Sequence, residues 1–221
     1  MKRTLTLALA LLAGCQSSAP QQASERHEIR LVAILPFFDE TGNSSFDGEA
    51  FGAILASEFV KASGVRAIRP AQIRAALNPG EKVLSIDDAI RVARRLGADT
   101  VLACAVTDYD PYDPPRVAVH AQLLRAESRA MSAEDVDRLI QSASWQKGPL
   151  PLSRAKAGHA LAAFEEVYDA RDRGTRRLLT SYAERTSLRE TDYIAIQPRY
   201  LEFVSNQIIV RAWELARPHG S

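Results

Sequence analysis

The order of short apolar runs and amphipathic stretches between Ile29 and Val106 constrains the fold more than any other feature of the chain. Leu31-Val32-Ala33-Ile34-Leu35 is apolar, rich in branched side chains and stopped by Pro36, so it predicts a strand buried on both faces within Ile29 to Phe37. From Phe46 to Ala62 the pattern changes period. Phe51, Ile54, Leu55, Phe59 and Ala62 recur at helical spacing, with Asp47, Glu49, Glu58 and Lys61 on other faces, and Gly64 ends the stretch. Val65 to Ile68 reads as a short strand. Pro70 suits the first turn of a short helix through Leu77, and Asn78-Pro79-Gly80 breaks the chain. Ser85 and Asp88 have the spacing of a capping box ahead of Ile86, Ala89, Ile90, Ala93 and Leu96, and Gly97 supplies a left-handed stop. Thr100 to Val106 is a further buried strand. Alternating strands and helices predict an α/β sandwich of two or three layers, with a small mixed sheet of four or five strands and helices packed on it.

A fourth strand, Arg116 to Leu124, is expected to pair with the third across the loop Asp108 to Pro115. Beyond Ala126 the pattern reads as helical. Ser132 and Asp135 precede Val136, Leu139 and Ile140, and Ser153 precedes a stretch in which Ala157, Leu161, Phe164, Val167 and Tyr168 share a stripe. Thr175 to Arg185 is another candidate helix. Pro198 opens Arg199 to Ala216, where Tyr200, Phe203, Val204, Ile208, Trp213 and Leu215 form a broad apolar surface, either core or a face for a partner. The organisation is therefore an α/β domain over 29–126 with a helical extension, 127–221, packed on it.

The N-terminus carries a different message. Lys2 and Arg3 precede an apolar stretch, Leu5 to Leu12, too short to span a bilayer, and small residues Ala13 and Gly14 follow. This reads as a secretion signal over 1–14. Leu12-Ala13-Gly14-Cys15 resembles the bacterial lipobox, which implies cleavage between Gly14 and Cys15 and a diacylglycerol thioether on Cys15, with no other cofactor. Residues 16–28 are polar, include Pro20 and cannot bury enough surface to order themselves, so they read as a tether with a reach of about 20 Å. Only Cys104 remains as a thiol, inside an apolar run, so the mature chain has no internal disulfide and depends on its packed core. Lys+Arg 28 against Asp+Glu 27, less the two cations of the signal, leaves it close to neutral. That balance gives no support to a nucleic-acid partner, and it assigns membrane attachment to lipid.

Leu31 to Phe37 followed by Asp39-Glu40-Thr41-Gly42-Asn43, and later Ala93-Arg94-Arg95-Leu96-Gly97-Ala98-Asp99-Thr100-Val101-Leu102, is similar to the α/β module of the CsgG, TolB amino-terminal and LpoB-type proteins. The likeness covers 29 to about 126, and Ala103-Cys104-Ala105 stands where that family often has glycine. The resemblance implies a lipid-anchored periplasmic module that binds envelope proteins or assembles into homo-oligomeric rings without catalysis. An activator of a membrane-bound cell-wall synthesis enzyme is the alternative role, and an envelope hydrolase a distant one. Gln16 after the cysteine, where aspartate would favour the inner membrane, points by the same resemblance to the periplasmic side of the outer membrane.

The residues offer no catalytic constellation. There is no Gly-x-Ser-x-Gly elbow or phosphate-binding glycine loop, and His27, His120, His159 and His219 stand singly. Asp108, Asp110 and Asp113 could face a calcium ion, but the interleaved prolines and the missing bidentate glutamate favour a solvated hairpin loop. The loop from Asp39 to Ser45 could face an anion, yet its acids would repel one, and a turn with a helix cap is the better reading. No pair of long alternating hairpins of the kind that builds a membrane pore is present. The candidate partner contacts are Tyr109, Tyr112, Tyr200 and Trp213, large aromatic side chains of the kind enriched at interfaces.

Overall fold

The run Leu31–Ile34 forms β1, an interior strand of a six-stranded mixed sheet. The computed structural model describes residues 29–42, 46–83, 85–126 and 160–216. After β1 come β2 (Phe38–Asp39), α1 (Gly48–Ser63), β3 (Arg66–Ile68), α2 (Pro70–Ala75), α3 (Ile86–Arg95), β4 (Thr100–Asp110) and β5 (Arg116–Arg125). They are followed by β6 (Ala160–Asp169), α4 (Arg173–Ala183), α5 (Glu190–Ala195) and α6 (Gln197–Ala216). The strand order is β3-β1-β4-β5-β6, with β2 also beside β4. β1 runs parallel to β3 and β4, while β4–β5 and β5–β6 are antiparallel. Helices cover both faces, giving three layers.

Alternation along the strands divides the core in two. Val32, Ile34, Leu102, Cys104, Val119 and Leu123 face α1 and α6; Ala33, Leu35, Val101, Ala103 and Leu124 face α2 and α3. The α1 boundary follows the expected chemistry: Asp47 accepts from the backbone N–H of Glu49 at 3.0 Å and of Ala50 at 2.9 Å, and Gly64 closes the helix at φ 69°. Phe51 and Phe59 are fully buried, each contributing about 2–3 kcal/mol of transfer free energy. Ser85 Oγ accepts from Asp88 N at 3.1 Å to start α3, and Gly97 (φ 73°) follows it.

Two differences from the sequence reading matter. The stretch read as a helix after Ser153 is strand β6 from Ala160 onward, so the extension adds a strand to the sheet and is not helical throughout. Its Leu161, Phe164 and Tyr168 fit a helical stripe, but Ala162, Phe164, Glu166 and Tyr168 also fit a period of two, and the open edge of β5 settles the choice. The second difference is Glu58, expected on a polar face but only 3% exposed. Its carboxylate accepts from the Tyr182 hydroxyl at 2.9 Å and from Lys61 Nζ at 2.6 Å. Pairing makes a buried carboxylate tolerable, and here it ties α1 to α4 across 124 positions of chain. The capping pattern at Ser132 and Asp135, the tether and Cys15 lie outside the described residues.

A second clip holds the turn before α3. The Glu81 carboxylate accepts from Arg95 at 2.7 Å, from Arg91 at 3.4 Å and from Asn78 N at 2.9 Å, and the Arg95 hydrogen bond foremost holds its pKa down at about 2. Its folded pKa lies below the ordinary 4.5, so the folded chain binds fewer protons than the unfolded one between those values. The stabilisation is present above about pH 4.5 and is lost as pH falls toward 2. Urea unfolding midpoints measured from pH 5 downward should fall more steeply for the native chain than for Glu81→Gln, by on the order of 1 kcal/mol across the window. Identical slopes would remove Glu81 from the account.

Candidate interaction surface

The sheet has two chemically distinct ends, fixed by register. Leu31 pairs with Arg66, Val32 with Thr100, Thr100 with Arg125 and Leu124 with Ala160, so the start of β1 marks one end. At the other end Asp110 pairs with Arg116 and Arg116 with Asp169, around the β4–β5 turn. The eleven residues of β4 separate them by roughly 35 Å. Anything preceding Ile29 therefore joins the domain at the end remote from the hairpin.

The two segments that carry the family likeness are turn chemistry. Asp99 Oδ2 accepts from the backbone N–H of Arg30 and of Leu31, both at 2.8 Å, and Asp99 N donates to Leu31 O at 2.9 Å. The Leu-Gly-Ala-Asp turn thus clamps the first residues of β1. Asp39 Oδ1 accepts from Thr41 N at 2.9 Å and from Thr41 Oγ1 at 2.7 Å, and Gly42 follows at φ 67°. The Thr41 hydrogen bond foremost holds the Asp39 carboxyl below its ordinary range. Asp47 occupies the first amides of α1, so the described residues on either side of 43–45 form a turn and a helix cap.

The β4–β5 hairpin is longer than expected and its turn shorter. A register shift between Val106 and Asp108 carries β4 on to Asp110, leaving 111–115 as the connection, with a cis Asp113–Pro114 bond. Asp108 pairs with Arg116 at 3.0 Å and Asp110 Oδ1 accepts from Tyr112 N at 3.1 Å, so the carboxylates shape the hairpin. Ala170 N donates to Pro115 O at 3.0 Å, bringing the end of β6 beside the turn. There Asp169 pairs with Arg171 at 2.9 Å, which holds the aspartate below its usual range. Acids outnumber bases at this end: Asp108, Asp110, Asp113, Asp169 and Asp172 lie on or beside the turn, against Arg116, Arg171 and Arg173.

The four aromatic candidates part company here. Tyr112 is 79% exposed at the tip of the turn. Tyr109 lies within β4 and is buried, with its ring 5.2 Å edge-on from Phe46 and its hydroxyl accepting from Gln197. Tyr200 is buried on α6 and donates to Tyr168 O at 3.0 Å, and Trp213 packs 5.8 Å from Phe59. Tyr109 and Tyr200 are thus core residues and Trp213 is partly covered, so none of the three presents an open ring. The sequence reading missed Ile196, half exposed beside Gln197 and so next to the Tyr109 contact. Its signal was Pro198, which suits a first helical turn and so marks the start of α6; Ile196, between α5 and α6, is extended (φ −119°, ψ 102°).

Burial pushes the Cys104 thiol up, away from the thiolate form that reacts. His120 lies in β5 with Gln122 Nε2 at 3.4 Å, and the other histidines lie outside the described residues. Among the described residues no three His, Cys, Asp or Glu side chains converge as a metal site, and no helix is long and apolar enough to cross a membrane.

The sequence matches no family model and no curated protein. Among solved structures it is similar to the LpoB C-terminal domain from Salmonella enterica, with 15% identity, TM-score 0.41, and coverage of 64% of this chain and 82% of that one. A PelC dodecamer from Paraburkholderia phytofirmans gives 12% identity and TM-score 0.38 over 87% and 91% of the two chains. Lipoprotein GNA1162 from Neisseria meningitidis gives 15% and 0.40 over 70% and 94%. These TM-scores lie below 0.5, and nothing about the activity of this chain follows from them.

Proposed function

We propose that this chain is a lipid-anchored, non-catalytic component of the bacterial cell envelope. In this reading Cys15 carries the acyl chains, on the periplasmic side of the outer membrane, and the hairpin tip engages a protein partner. The observation that carries the reading is the placement of Tyr112. A large aromatic ring, 79% exposed, stands on a turn fixed by the Asp108–Arg116 pair, at the end of the sheet opposite the start of β1. An anchored domain that reaches toward a partner must present its contact away from the bilayer, and a ring held in place loses little entropy on binding. The tether confines the domain near the membrane, so modest affinity suffices for a partner held at the same surface.

A photo-crosslinking amino acid placed at position 112 in living cells should capture a discrete envelope protein. The same probe at Glu184, exposed on the C-terminal cap of α4, should not. No adduct at 112, or the same adducts at both positions, would refute the tip as the contact.

A further inference from the structure

We propose that the end of the sheet where the tether enters is a second binding surface, which seats the domain on the anionic phosphate headgroups of the bilayer. Overall neutrality hides it, because the fold sorts the charges by end. Arg30, Arg66, Arg94 and Arg125 arrive at this end from four different segments. Arg30 immediately precedes β1; Arg66 opens β3 and pairs with Leu31; Arg125 ends β5 opposite Thr100; Arg94 sits in the last turn of α3. Neighbouring strands are about 4.8 Å apart, so the register places Arg66, Arg30 and Arg125 along a front of roughly 15–20 Å. Of the acids near this end, Asp99 is turned inward onto the backbone N–H groups of Arg30 and Leu31, and Glu81 is taken up by Arg91 and Arg95. Arg30 and Arg66 are exposed, and Arg94 and Arg125 half-buried.

The occupant is argued from where the chain goes next. Residues 16–28 lead into Ile29 on Arg30's side of the domain, and only these thirteen residues of chain separate that side from the cysteine that carries the lipid in the anchored reading. Headgroup attraction acts within a Debye length of about 8 Å at physiological salt, so this end feels it and the acidic hairpin, roughly 35 Å away, does not. Arginine suits phosphate through its planar fork of donors. Charge thus adds orientation to what the acyl chains supply as affinity: the cationic end lies down and the Tyr112 tip stands up. The inference rests on the anchored reading above.

The test separates the two. A chain begun at Gln16 contains every described element and lacks both the signal and the acylated cysteine. It should cosediment with vesicles of phosphatidylglycerol and phosphatidylethanolamine at low salt, lose binding as salt rises, and ignore vesicles of phosphatidylcholine. Each arginine near an anionic surface strengthens binding about five-fold, so Arg30→Glu with Arg66→Glu should weaken it by ~25-fold or more. Arg173→Glu, an equal step in charge per residue at the opposite end, should leave it intact, with near-ultraviolet circular dichroism confirming the fold of each variant. Failure to bind anionic vesicles, equal binding to phosphatidylcholine, or an equal loss with Arg173→Glu overturns the proposal. Since the assay involves no acyl chain, such a failure leaves the anchor standing, and a failure of acylation at Cys15 leaves the vesicle result standing.

Discussion

Cells expressing the chain with Cys15→Ser should incorporate no labelled palmitate into it and should lose it from the membrane fraction, whereas the native chain carries label and sediments with membranes. The effect is expected to be close to all-or-none. Acyl chains contribute about 0.8 kcal/mol per buried methylene, so losing two or three chains removes far more affinity than any surface contact replaces. The arginine front cannot substitute, since single headgroup contacts are worth about 1 kcal/mol each near the surface and are screened by salt. Label persisting on the serine variant would place the lipid elsewhere and sink the anchor reading; label absent from both chains would do the same.

Gly48→Ala should lower the unfolding free energy by about 3 kcal/mol, near the upper end of what overpacking costs. A Cβ at position 48 would stand 2.1 Å from the backbone oxygen of Phe37, and that backbone cannot retreat freely. Phe37 N donates to Gly48 O at 2.9 Å, and the Phe37 ring stacks 3.9 Å from Phe51 at an interplanar angle of 2°. Moving the strand exit to admit a methyl group therefore disturbs a hydrogen bond and a buried aromatic pair together. One turn later Gly52 repeats the close approach, with Leu35 O 2.9 Å from its would-be Cβ. Urea unfolding followed by circular dichroism gives the measurement, and Ala53→Gly, an exposed change on the same helix, should cost only about 1 kcal/mol. A Gly48→Ala loss below that of Ala53→Gly would show that the helix can shift aside.

Much of the α/β half was legible because local pattern and tertiary placement agree there. Leu31–Ile34, the Asp47–Gly64 bounded helix, the Ser85 cap and the antiparallel partner of β4 all appear where residue spacing puts them. Legibility fails where a choice is made by a distant neighbour. Ala160–Asp169 contains enough alanine and glutamate to suit a helix, and only the unpaired edge of β5 makes it a strand. Glu58 reads as a solvent-facing charge until Tyr182 arrives from α4 to receive it. At the candidate surface, spacing marked the hairpin but could not say which of its tyrosines faces outward. The register shift after Val106 decides that, turning Tyr109 in and leaving Tyr112 at the tip. Charge was hidden in the same way, since composition sums what the sheet separates.

The late arrival of β6 and α6 governs how the chain emerges during synthesis. One face of the sheet, bearing Val117, Val119, Ala121 and Leu123, is completed only by α6, Gln197–Ala216, which follows β5 by more than seventy residues. Until then a nascent chain carries a bare apolar face and an unpaired β5 edge, the two features that make partly folded polypeptides stick to one another. Premature termination or clipping after residue 126 would thus yield neither a smaller functional module nor a harmless fragment, but a species destined for capture by chaperones or proteases. Helix α6 acts in this sense as the quality seal of the described domain.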